Sequence, residues 1–325
     1  MRLILVGTNA FSERWLKVFF ASNNVNVAAL VNHRADRFPH ICRSHGYPAR
    51  NCFTSLKKAL SEREAEGVVV TVPTKYHYRH AREALEAGKH VLVEKPLTAT
   101  LAEAGKLLNL ARERKRLISM VSQHRYTPRL KEMKKYCGPK APLGRALTFF
   151  VRIHMNRPPS YYDHEARRTG HGVLTIQGSH AMDWIGWLFG EVDSCAAAIG
   201  TLYHKTQNED NAYAMIKMKS GVMGLFDINH FARGKDVSEF EILFEKGVLR
   251  FSLKDGFRIE RGEKSRKVEL ASMDPQFDAL KAQLENFISA CEGRKPLDVT
   301  GEDGLRVMRL IDALYRSTGR MVLVA

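Results

Sequence analysis

The stretch from Gly67 to Leu97 constrains the fold of this chain more than any other. It opens with an apolar run of β-branched residues, Val68 to Val72, and continues with a helical pattern from about Lys75 to Ala87. A second apolar run, His90 to Val93, leads into Glu94-Lys95-Pro96. A strand, a helix and a strand in about thirty residues match a right-handed crossover in a parallel sheet. Ligands of such sheets bind beyond the carboxyl ends of the strands, so this unit predicts a site at those two ends.

A family resemblance is carried by the same stretch. The text EALEAGKHVLVEKPL, a strand ending in a Thr-Val-Pro-Thr turn, and His77 four residues beyond that proline resemble the oxidoreductases named after glucose-fructose oxidoreductase and inositol dehydrogenase (Gfo/Idh/MocA). The resemblance covers essentially the whole chain, and its most specific element is Glu94-Lys95-Pro96 after AGKHV. It implies hydride transfer between NAD(P) and a hydroxyl or carbonyl carbon of a sugar, sugar acid, nucleotide sugar or cyclitol.

Length and composition predict a globular protein of two domains. The chain has 325 residues, of which 44% are hydrophobic and 26% charged. No apolar run approaches the roughly twenty residues of a membrane helix. The apolar start, Met1 to Gly7, is too short for a signal peptide and predicts a first strand. Five cysteines form no Cys-x-x-Cys pair, so we expect reduced thiols and a cytoplasmic protein.

The formal charge of +16 is concentrated in the N-terminal part of the chain. Residues 1–122 hold 20 Lys and Arg against 10 Asp and Glu, whereas residues 123–325 hold 31 against 25. A basic domain suits nucleic acid, an anionic membrane or a phosphorylated small ligand. No recognition-helix pattern or aromatic-interleaved RNA signature accompanies the charge. We predict that neither nucleic acid nor membrane is a partner.

The turn after the first strand is a departure from the usual dinucleotide fingerprint Gly-x-Gly-x-x-Gly. The sequence reads Gly7-Thr8-Asn9-Ala10-Phe11-Ser12, so only the first glycine is present. Asn9 tolerates a left-handed backbone better than most residues and can keep the turn. Through the resemblance, residues Gly7 to Phe11 are expected to hold the pyrophosphate at the start of the following helix.

The second predicted strand, Asn26 to Val31, ends in Asn32-His33-Arg34. An acidic residue at this end would bind the ribose 2′-hydroxyl of NAD and repel a 2′-phosphate, and none is present. Arg34 can meet a phosphate with two parallel hydrogen bonds. These residues favour NADP over NAD. The alternative is that Arg34 starts the next helix and faces water.

Six strands with intervening helices, the third a short strand near Tyr47 to Arg50, predict a doubly wound parallel sheet, an α/β Rossmann domain over residues 1–122. The pattern then changes to longer alternating segments punctuated by glycines, which predicts an α+β domain over residues 123–325 with a large, mostly antiparallel open sheet. Helices are expected at Gly178 to Phe189, Phe277 to Cys291 and Glu302 to Ser317. The last of these is expected to pack near the first domain. The resemblance implies that the other sheet face makes subunit contacts, in a homodimer or homotetramer.

Lys95 is the first candidate catalytic residue. An ammonium at the carboxyl edge of a parallel sheet can bind the reacting oxygen and stabilise charge that develops there. The alternative is that Glu94 and Lys95 form a surface ion pair beside a turn proline; the Lys95–Pro96 bond is also a candidate for a cis peptide. The resemblance adds further cofactor-lining residues, which are Thr71, Val72, Pro73, Thr74, His77, Glu94, Lys95 and Gln123.

His180 is the second candidate catalytic residue, as a general acid/base. The stretch from Gly170 to Asp183 resembles the family's glycine-rich segment, in which an Asp or Asn precedes the histidine by four residues. Here that position is Ile176, which cannot orient an imidazole or relay a proton. Gln177 is a possible substitute for the lost polar contacts. The alternative for His180 is a structural role on a partly apolar helix.

Substrate-binding candidates lie in two further segments. Related proteins carry text similar to Gln123-His124-Arg125 between the domains, and text similar to Arg157-Pro158-Pro159-Ser160-Tyr161 near the substrate pocket. Arginine and tyrosine suit a polyhydroxylated or anionic substrate, although the second segment is equally suited to be an interdomain strap. The resulting substrate candidates are Lys95, His124, Arg125, Arg157, Tyr161, Gln177 and His180. No histidine or cysteine spacing suits a metal, and none is predicted.

A rival function is a dinucleotide-binding regulatory or structural protein that has lost catalysis. Ile176 and the reduced glycine fingerprint both favour it, whereas Lys95 and His180 argue against it. The two hypotheses differ in whether bound dinucleotide turns over.

Overall fold

The computed structural model describes most of the chain. The described residues are 1–8, 12–138, 141–161, 172–252, 256–274, 276–317 and 322–324. The predictions at Asn9, Ala10 and Phe11 lie outside them. Two compact units are present. The first consists of Met1–Tyr126 and Asp274–Leu305, and the second of Thr127–Met273 and Arg306–Ala325. The first unit thus includes a late segment, 274–305, that the prediction of consecutive domains, 1–122 and 123–325, does not include.

The first unit contains a six-stranded parallel sheet. Its strands are β1 (Arg2–Val6), β2 (Asn26–Val31), β3 (Cys52–Phe53), β4 (Gly67–Val70), β5 (His90–Val93) and β6 (Ile118–Met120). The order is β3-β2-β1-β4-β5-β6, with every neighbouring pair parallel. This order reverses direction between β1 and β4, which is where a doubly wound sheet opens a ligand crevice. The predicted α/β sheet is confirmed.

Helices connect the strands and cover the sheets. Those in the described part of the chain are α1 (Glu13–Phe20), α2 (Phe38–His45), α3 (Leu56–Glu62), α4 (His77–Glu86), α5 (Leu101–Glu113), α6 (Pro128–Lys135), α7 (Val173–Ile176), α8 (Gly178–Phe189), α9 (Asp278–Cys291) and α10 (Gly301–Ser317). Local sequence sets several ends. Thr100 and Glu103 form a capping box at the start of α5, and Gly46 ends α2 in the left-handed conformation. The three helices predicted near the C-terminal end are confirmed at α8, α9 and α10.

The core of the first unit explains why its strands consist mostly of apolar residues. Every residue of β4 is buried, because helices cover both faces of a parallel sheet. Leu3 and Val69 pack in one cluster with Trp15 of α1 and Phe287 of α9. Helix α9 therefore belongs to this core although it lies far along the chain.

The second unit is built on a sheet of nine strands within the described residues. The strands are β7 (Ala146–His154), β8 (Val192–Gly200), β9 (Asn211–Met218), β10 (Met223–Asn229), β11 (Val237–Phe244), β12 (Gly247–Ser252), β13 (Gly256–Arg261), β14 (Lys264–Val268) and β15 (Val322–Leu323). Their order is β14-β13-β12-β11-β7-β10-β9-β8-β15. Neighbours are antiparallel except β10 and β7. The prediction of a large, mostly antiparallel sheet is confirmed.

The two faces of this sheet differ in how far they are covered. Along β9, residues alternate between buried and exposed, as they do in β10. The exposed side is unusually apolar, with Tyr213 51%, Met215 55%, Met223 57% and Leu225 47% exposed. The described residues of β9 and β10 therefore present an apolar surface.

The third strand was misplaced by the sequence pattern, which predicts it near Tyr47 to Arg50. The structure has a 3-10 helix at Ala49–Asn51 and the strand at Cys52–Phe53. Two residues are too few to show an alternating pattern, and they gain their strand conformation from pairing with β2.

Within the described residues, none of the helices combines the length and the apolar composition needed to cross a bilayer.

Candidate active site

Gly7 ends β1 at a point where two strands approach closely. Its backbone has a φ of 104°, and its amide donates to the carbonyl of Val31 at 2.8 Å. A Cβ on this residue would lie 2.8 Å from Thr71 Oγ1 and 2.9 Å from the amide nitrogen of Val72. Only glycine combines this left-handed conformation with this approach. The first glycine of the fingerprint is therefore required by the packing of the turn.

Ser12 stands where the fingerprint has its third glycine. Its hydroxyl lies 2.9 Å from Thr71 Oγ1, and Ser12 is the residue that precedes α1. Thr71 Oγ1 in turn lies 3.0 Å from the carbonyl oxygen of Gly7. All three residues are buried. A hydroxyl network thus joins the start of α1 to the ends of β1 and β4.

Asn32 follows β2 and replaces the acidic residue of an NAD site. Its side-chain amide donates to Thr8 Oγ1 at 2.7 Å, and its Oδ1 accepts from the amide of Arg34 at 3.0 Å. Asn32 is buried. The side chain therefore holds the turn after β1 to the turn after β2 and brings no negative charge to this edge of the sheet.

Arg34 extends from this turn and pairs with Asp36. Its Nη2 lies 2.7 Å from Asp36 Oδ2, and its Nε lies 3.2 Å from Oδ1. Both side chains are more than half exposed. The hydrogen bond from Arg34 lowers the pKa of Asp36. Arg34 does precede a short helix, Ala35–Arg37, as the alternative interpretation has it, and it also borders the cleft described next.

A cleft of about 580 Å³ opens at the carboxyl ends of β1, β2, β3 and β4. It is lined by Val6, Gly7, Thr8, Val31, Asn32, His33, Arg34, Arg37, Thr54, Ser55, Leu56, Lys57, Val72, Pro73, Tyr76, Arg79, His80 and Glu83. Four of these are cationic and one is a carboxylate. Burial, with the nearby charges of Arg79 and His77, lowers the pKa of His80 to about 4. His80 is thus neutral at pH 7, and the positive charge of the cleft comes from its arginines and lysine.

The sequence analysis missed the far wall of this cleft. Tyr76, Arg79, His80 and Glu83 were not candidates, although their spacing of three, four and seven places them on one face at the start of α4. Thr54 to Lys57 follow β3, so misplacing that strand concealed them. The available signal was the polar face of α4 next to a predicted strand end.

Glu94 turns into the unit at the end of β5. Its Oε1 accepts from the indole nitrogen of Trp15 at 2.8 Å, and its Oε2 accepts from the backbone amide of Lys95 at 3.1 Å. Glu94 is buried and Lys95 half-buried. The Lys95–Pro96 peptide bond is cis, as predicted. The carboxylate of Glu94 thus fixes the backbone from which the Lys95 side chain extends.

His77 joins the two strand ends that the sequence predicts as the site. Its Nδ1 lies 2.9 Å from the carbonyl oxygen of Pro96, and its Nε2 lies 2.8 Å from that of Val72. The ring is buried. Both neighbours are acceptors, and a protonated ring can donate to both whereas a neutral one donates to one. His77 therefore positions the turn that carries Lys95.

The segment after β6 has two different environments. Gln123 is buried, and its Oε1 has no hydrogen-bond partner among the described residues. A buried acceptor left in this way is suited to a ligand that can donate a hydrogen bond. Arg125 instead forms an ion pair with Asp303 at 3.1 Å, with its side chain 4% exposed. His124 beside them is half-buried.

The second unit holds the remaining catalytic candidate, His180, which is half-buried on α8. Ile176 is buried at the end of α7, and Gln177 between the two helices is partly exposed. Glu209, which the sequence analysis missed, holds the start of α7. Its carboxylate accepts from the amides of Gly172 at 3.2 Å and Leu174 at 3.1 Å.

Arg157 and Tyr161 lie together in the second unit. The Arg157 guanidinium lies 5.6 Å from the centre of the Tyr161 ring, and its Nη1 lies 3.2 Å from Asp236 Oδ2. The Tyr161 ring meets the ring of His230 edge-on, with 5.5 Å between centres. Within the described residues, no three His, Cys, Asp or Glu side chains come together as metal ligands. The absence of a metal stays a prediction.

Two family models match the chain. The model of the oxidoreductase family's NAD-binding Rossmann fold (Gfo/Idh/MocA) matches residues 1–122, and the model of its C-terminal alpha/beta domain matches residues 141–323. The chain belongs to the Gfo/Idh/MocA oxidoreductase family. The resemblance read from the sequence is confirmed, and so is the prediction of an oxidoreductase.

Individual relatives match at low identity over most of their length. The 4-carboxy-2-hydroxymuconate-6-semialdehyde dehydrogenase of Sphingobium sp. is 24% identical, over 99% of this chain and 98% of that protein. The scyllo-inositol 2-dehydrogenase (NADP(+)) IolW of Bacillus subtilis is 26% identical, over 84% of this chain and 82% of that protein. The crystal structure of the WlbA dehydrogenase of Bordetella pertussis, in complex with NADH and UDP-GlcNAcA, superposes with a TM-score of 0.87 at 24% identity, covering 100% of this chain and 98% of that one. This last similarity establishes the fold.

Proposed function

We propose that this oxidoreductase uses NADP in preference to NAD and acts on a hydroxyl or carbonyl carbon of a sugar, sugar acid, nucleotide sugar or cyclitol. The observation that carries the proposal is the cleft at the carboxyl ends of β1 to β4. It combines a close-approach glycine, an uncharged Asn32 and an excess of cationic side chains at one edge of a dinucleotide-binding sheet.

The residues of the first unit fit a dinucleotide. The turn at Gly7 and Thr8 lets a pyrophosphate approach the backbone at the switch point of the sheet. Gln123 offers its buried Oε1 to a donor such as the amide group of a nicotinamide. When bound, the nicotinamide supplies or accepts the hydride.

The preference for NADP follows from charge. A 2′-phosphate needs cationic partners and no carboxylate at the position of Asn32. The exposed ion pair between Arg34 and Asp36 would exchange for a pair between Arg34 and the phosphate. Arg34 and Arg37 lie on one side of the cleft, Lys57 and Arg79 line it further along the chain, and Glu83 is the carboxylate in the lining. The amide of Asn32 is already satisfied by Thr8 and Arg34, so it neither repels a phosphate nor binds a 2′-hydroxyl as a carboxylate does.

Lys95 and His180 have separate roles in the proposal. The ammonium of Lys95 binds the reacting oxygen and stabilises the negative charge that develops on it. His180 takes or gives the proton of that oxygen, since histidine is the side chain that most often serves as a general acid and base. The buried side chain of Ile176 cannot assist it, and Gln177, partly exposed beside it, is the candidate for that contact.

The substrate class is proposed from polar side chains and from relatives. Arg157 and Tyr161 offer a guanidinium and a phenol, which suit hydroxyl-rich or anionic groups. The substrate-binding roles of His124 and Arg125 also stay proposals, although the buried ion pair of Arg125 favours a structural role. The relatives include an inositol dehydrogenase and a dehydrogenase crystallised with a nucleotide sugar, and both suit this class.

The apolar sheet face of the second unit supports a homo-oligomer, a dimer or a tetramer, with the exposed side of β9 and β10 as its interface. A cytoplasmic location is proposed because the described cysteines are all free. No observation in the described residues calls for nucleic acid or membrane as a partner.

The proposal is tested by titrating the protein with NADPH and NADH, following nicotinamide fluorescence at two salt concentrations. We expect tighter binding of NADPH, weakened about tenfold in Arg34→Ala, because a charged pair to phosphate is lost. Sugars, cyclitols and nucleotide sugars are then screened for turnover. Dinucleotide binding without turnover of any of these substrates, and with the same affinity in Lys95→Ala, would favour the inactive dinucleotide-binding protein. Failure of both dinucleotides to bind would contradict the proposal.

A further inference from the structure

Two thiols of the first unit touch each other beside the cleft. Cys42 Sγ on α2 lies 3.6 Å from the Sγ of Cys52, the first residue of β3. Both residues are partly exposed, and both are free thiols. We propose that Cys42 and Cys52 form a peroxide-sensitive modification site, which closes to an intramolecular disulfide and weakens dinucleotide binding.

The pair stands apart from the other cysteines. Among the described residues, Cys137, Cys195 and Cys291 have no sulfur-to-sulfur contact. The sequence pattern did not pair any cysteines, because Cys42 and Cys52 are separated by nine residues and approach only when β3 pairs with β2. The contact is therefore a product of the fold.

The elements that carry the two thiols allow the bond to form. A disulfide has a sulfur-to-sulfur distance of about 2.05 Å, so the two atoms must approach by about 1.5 Å. Strand β3 is the edge of its sheet and pairs with β2 only through Cys52 and Phe53. An edge element of two residues has few hydrogen bonds to lose in such a movement.

Formation of the disulfide consumes one molecule of hydrogen peroxide. Burial, and then the contact with Cys42, raises the pKa of Cys52 to about 12. The proposal gives the first step to Cys42 and the resolving step to Cys52. The sulfur of Cys42 attacks a peroxide oxygen, the O–O bond breaks, and a sulfenic acid and one water form. The sulfur of Cys52 then displaces the sulfenic oxygen, which leaves with the thiol proton as a second water. Two thiols are oxidised and one hydrogen peroxide is reduced.

The bond would act on the cleft through the elements that carry the two thiols. Arg34 and Arg37 immediately precede α2, which carries Cys42, and residues 54–57 follow directly after β3, which begins with Cys52. Drawing the sulfurs together displaces one wall against the other. This part of the inference rests on the proposed dinucleotide function. We expect the oxidised protein to bind NADPH at least fivefold more weakly than the reduced protein.

The bond itself is tested by mass spectrometry of the native protein after treatment with hydrogen peroxide. We expect the loss of two hydrogens and, after digestion with trypsin, a crosslink between residues 38–43 and 51–57, because trypsin cleaves after Arg43 and Arg50. In Cys52→Ala, dimedone should label Cys42 as a sulfenic acid, whereas the control Cys291→Ala should still form the crosslink. Oxidation of Cys42 in the unaltered protein without this crosslink would overturn the site.

The effect on the cleft is tested by NADPH titration of the reduced and the oxidised protein. Cys42→Ser provides the matched control, since peroxide should leave its affinity unchanged. Equal affinity of the reduced and crosslinked forms would overturn the coupling to the cleft. If the reduced protein binds neither NADPH nor NADH, the proposed function fails instead, and the crosslink is still decided by mass spectrometry.

Discussion

Asn32 is the residue on which the proposed cofactor preference depends most directly. The side chain is buried between Thr8 and the backbone of Arg34, so a carboxylate placed there has a fixed position at the cleft edge. We expect Asn32→Asp to raise the Kd for NADPH at least tenfold and to leave the Kd for NADH unchanged or lower, because a carboxylate repels a 2′-phosphate and accepts a ribose hydroxyl. Fluorescence titration measures both. Asn109→Asp, at an exposed position on α5, is the control; an equal change in both Kd values would contradict the assignment.

Substitution of Gly7 tests how strongly the stability of the turn depends on the close approach of Gly7 to Thr71. Gly7→Ala adds a methyl group 2.8 Å from Thr71 Oγ1 to a residue with a φ of 104°. Conformational strain and overpacking together should lower the free energy of unfolding by about 2–4 kcal/mol. Gly293→Ala is the matched control, because its φ is 71° and no atom lies within 4 Å of the added carbon. Urea denaturation should show that the control loses only about 1 kcal/mol of its free energy of unfolding. Equal losses in the two variants would mean that crowding of the added methyl group is unimportant.

At the scale of elements, side chains far apart in sequence hold the strand ends in place. His77 of α4 bridges the ends of β4 and β5, and Glu94 links the end of β5 to α1 through Trp15. In the second unit, Glu209 holds the start of α7 by accepting a hydrogen bond from the amide of Gly172. The sequence pattern located the ends of β4 and β5, near which His77 and Lys95 lie. It did not identify which side chains hold these strand ends in place.

The pair between Arg125 and Asp303 connects the turn after β6 to the start of α10. Burial alone would raise the pKa of Asp303, but Arg125 and hydrogen bonds from Thr300 outweigh it and lower that pKa. We expect Asp303→Asn to lower the free energy of unfolding at pH 7 by about 3 kcal/mol, because a buried guanidinium loses its partner. Asp312→Asn removes an exposed pair with Arg316 and should cost less than about 1 kcal/mol.

The same pair has a defined pH dependence. A carboxyl group with a lowered folded pKa contributes stability above its unfolded pKa, about 3.9, and loses that contribution as the pH falls through its folded pKa. The stability difference between the unaltered protein and Asp303→Asn should therefore shrink in denaturation series below about pH 4. A difference that stays constant down to pH 3 would show that the pair does not titrate as described.

On the scale of the whole molecule, the apolar sheet face is the feature with the clearest consequence for assembly. Leu225→Lys places a charge in the centre of the proposed interface between subunits, where burial without a partner is costly. We expect a smaller oligomer by light scattering at micromolar concentration. Leu202→Lys is the control, because Leu202 is 67% exposed in the loop after β8. A monomeric unaltered protein would contradict the interface.

The net charge of +16 also belongs to this scale, because residues 1–122 carry the larger part of it and its local distribution bears on binding. In the first unit, part of the excess meets at the cleft as Arg34, Arg37, Lys57 and Arg79. Arg37, Lys57 and Arg79 were not candidates from the sequence. Their contribution came from three different elements that only the sheet brings to one edge.

The sequence by itself determined the two sheet types, most element positions and the strand ends that border the proposed site, because periodicity and strand-ending residues are local properties of the chain. It also located Gly7, Asn32 and Lys95. Only the tertiary structure decided the contents of the cleft, the inclusion of α9 in the first core, the buried pair of Arg125 and the contact between Cys42 and Cys52. Each of these depends on pairing or packing between segments distant in the chain, and one sequence carries no local signal for that.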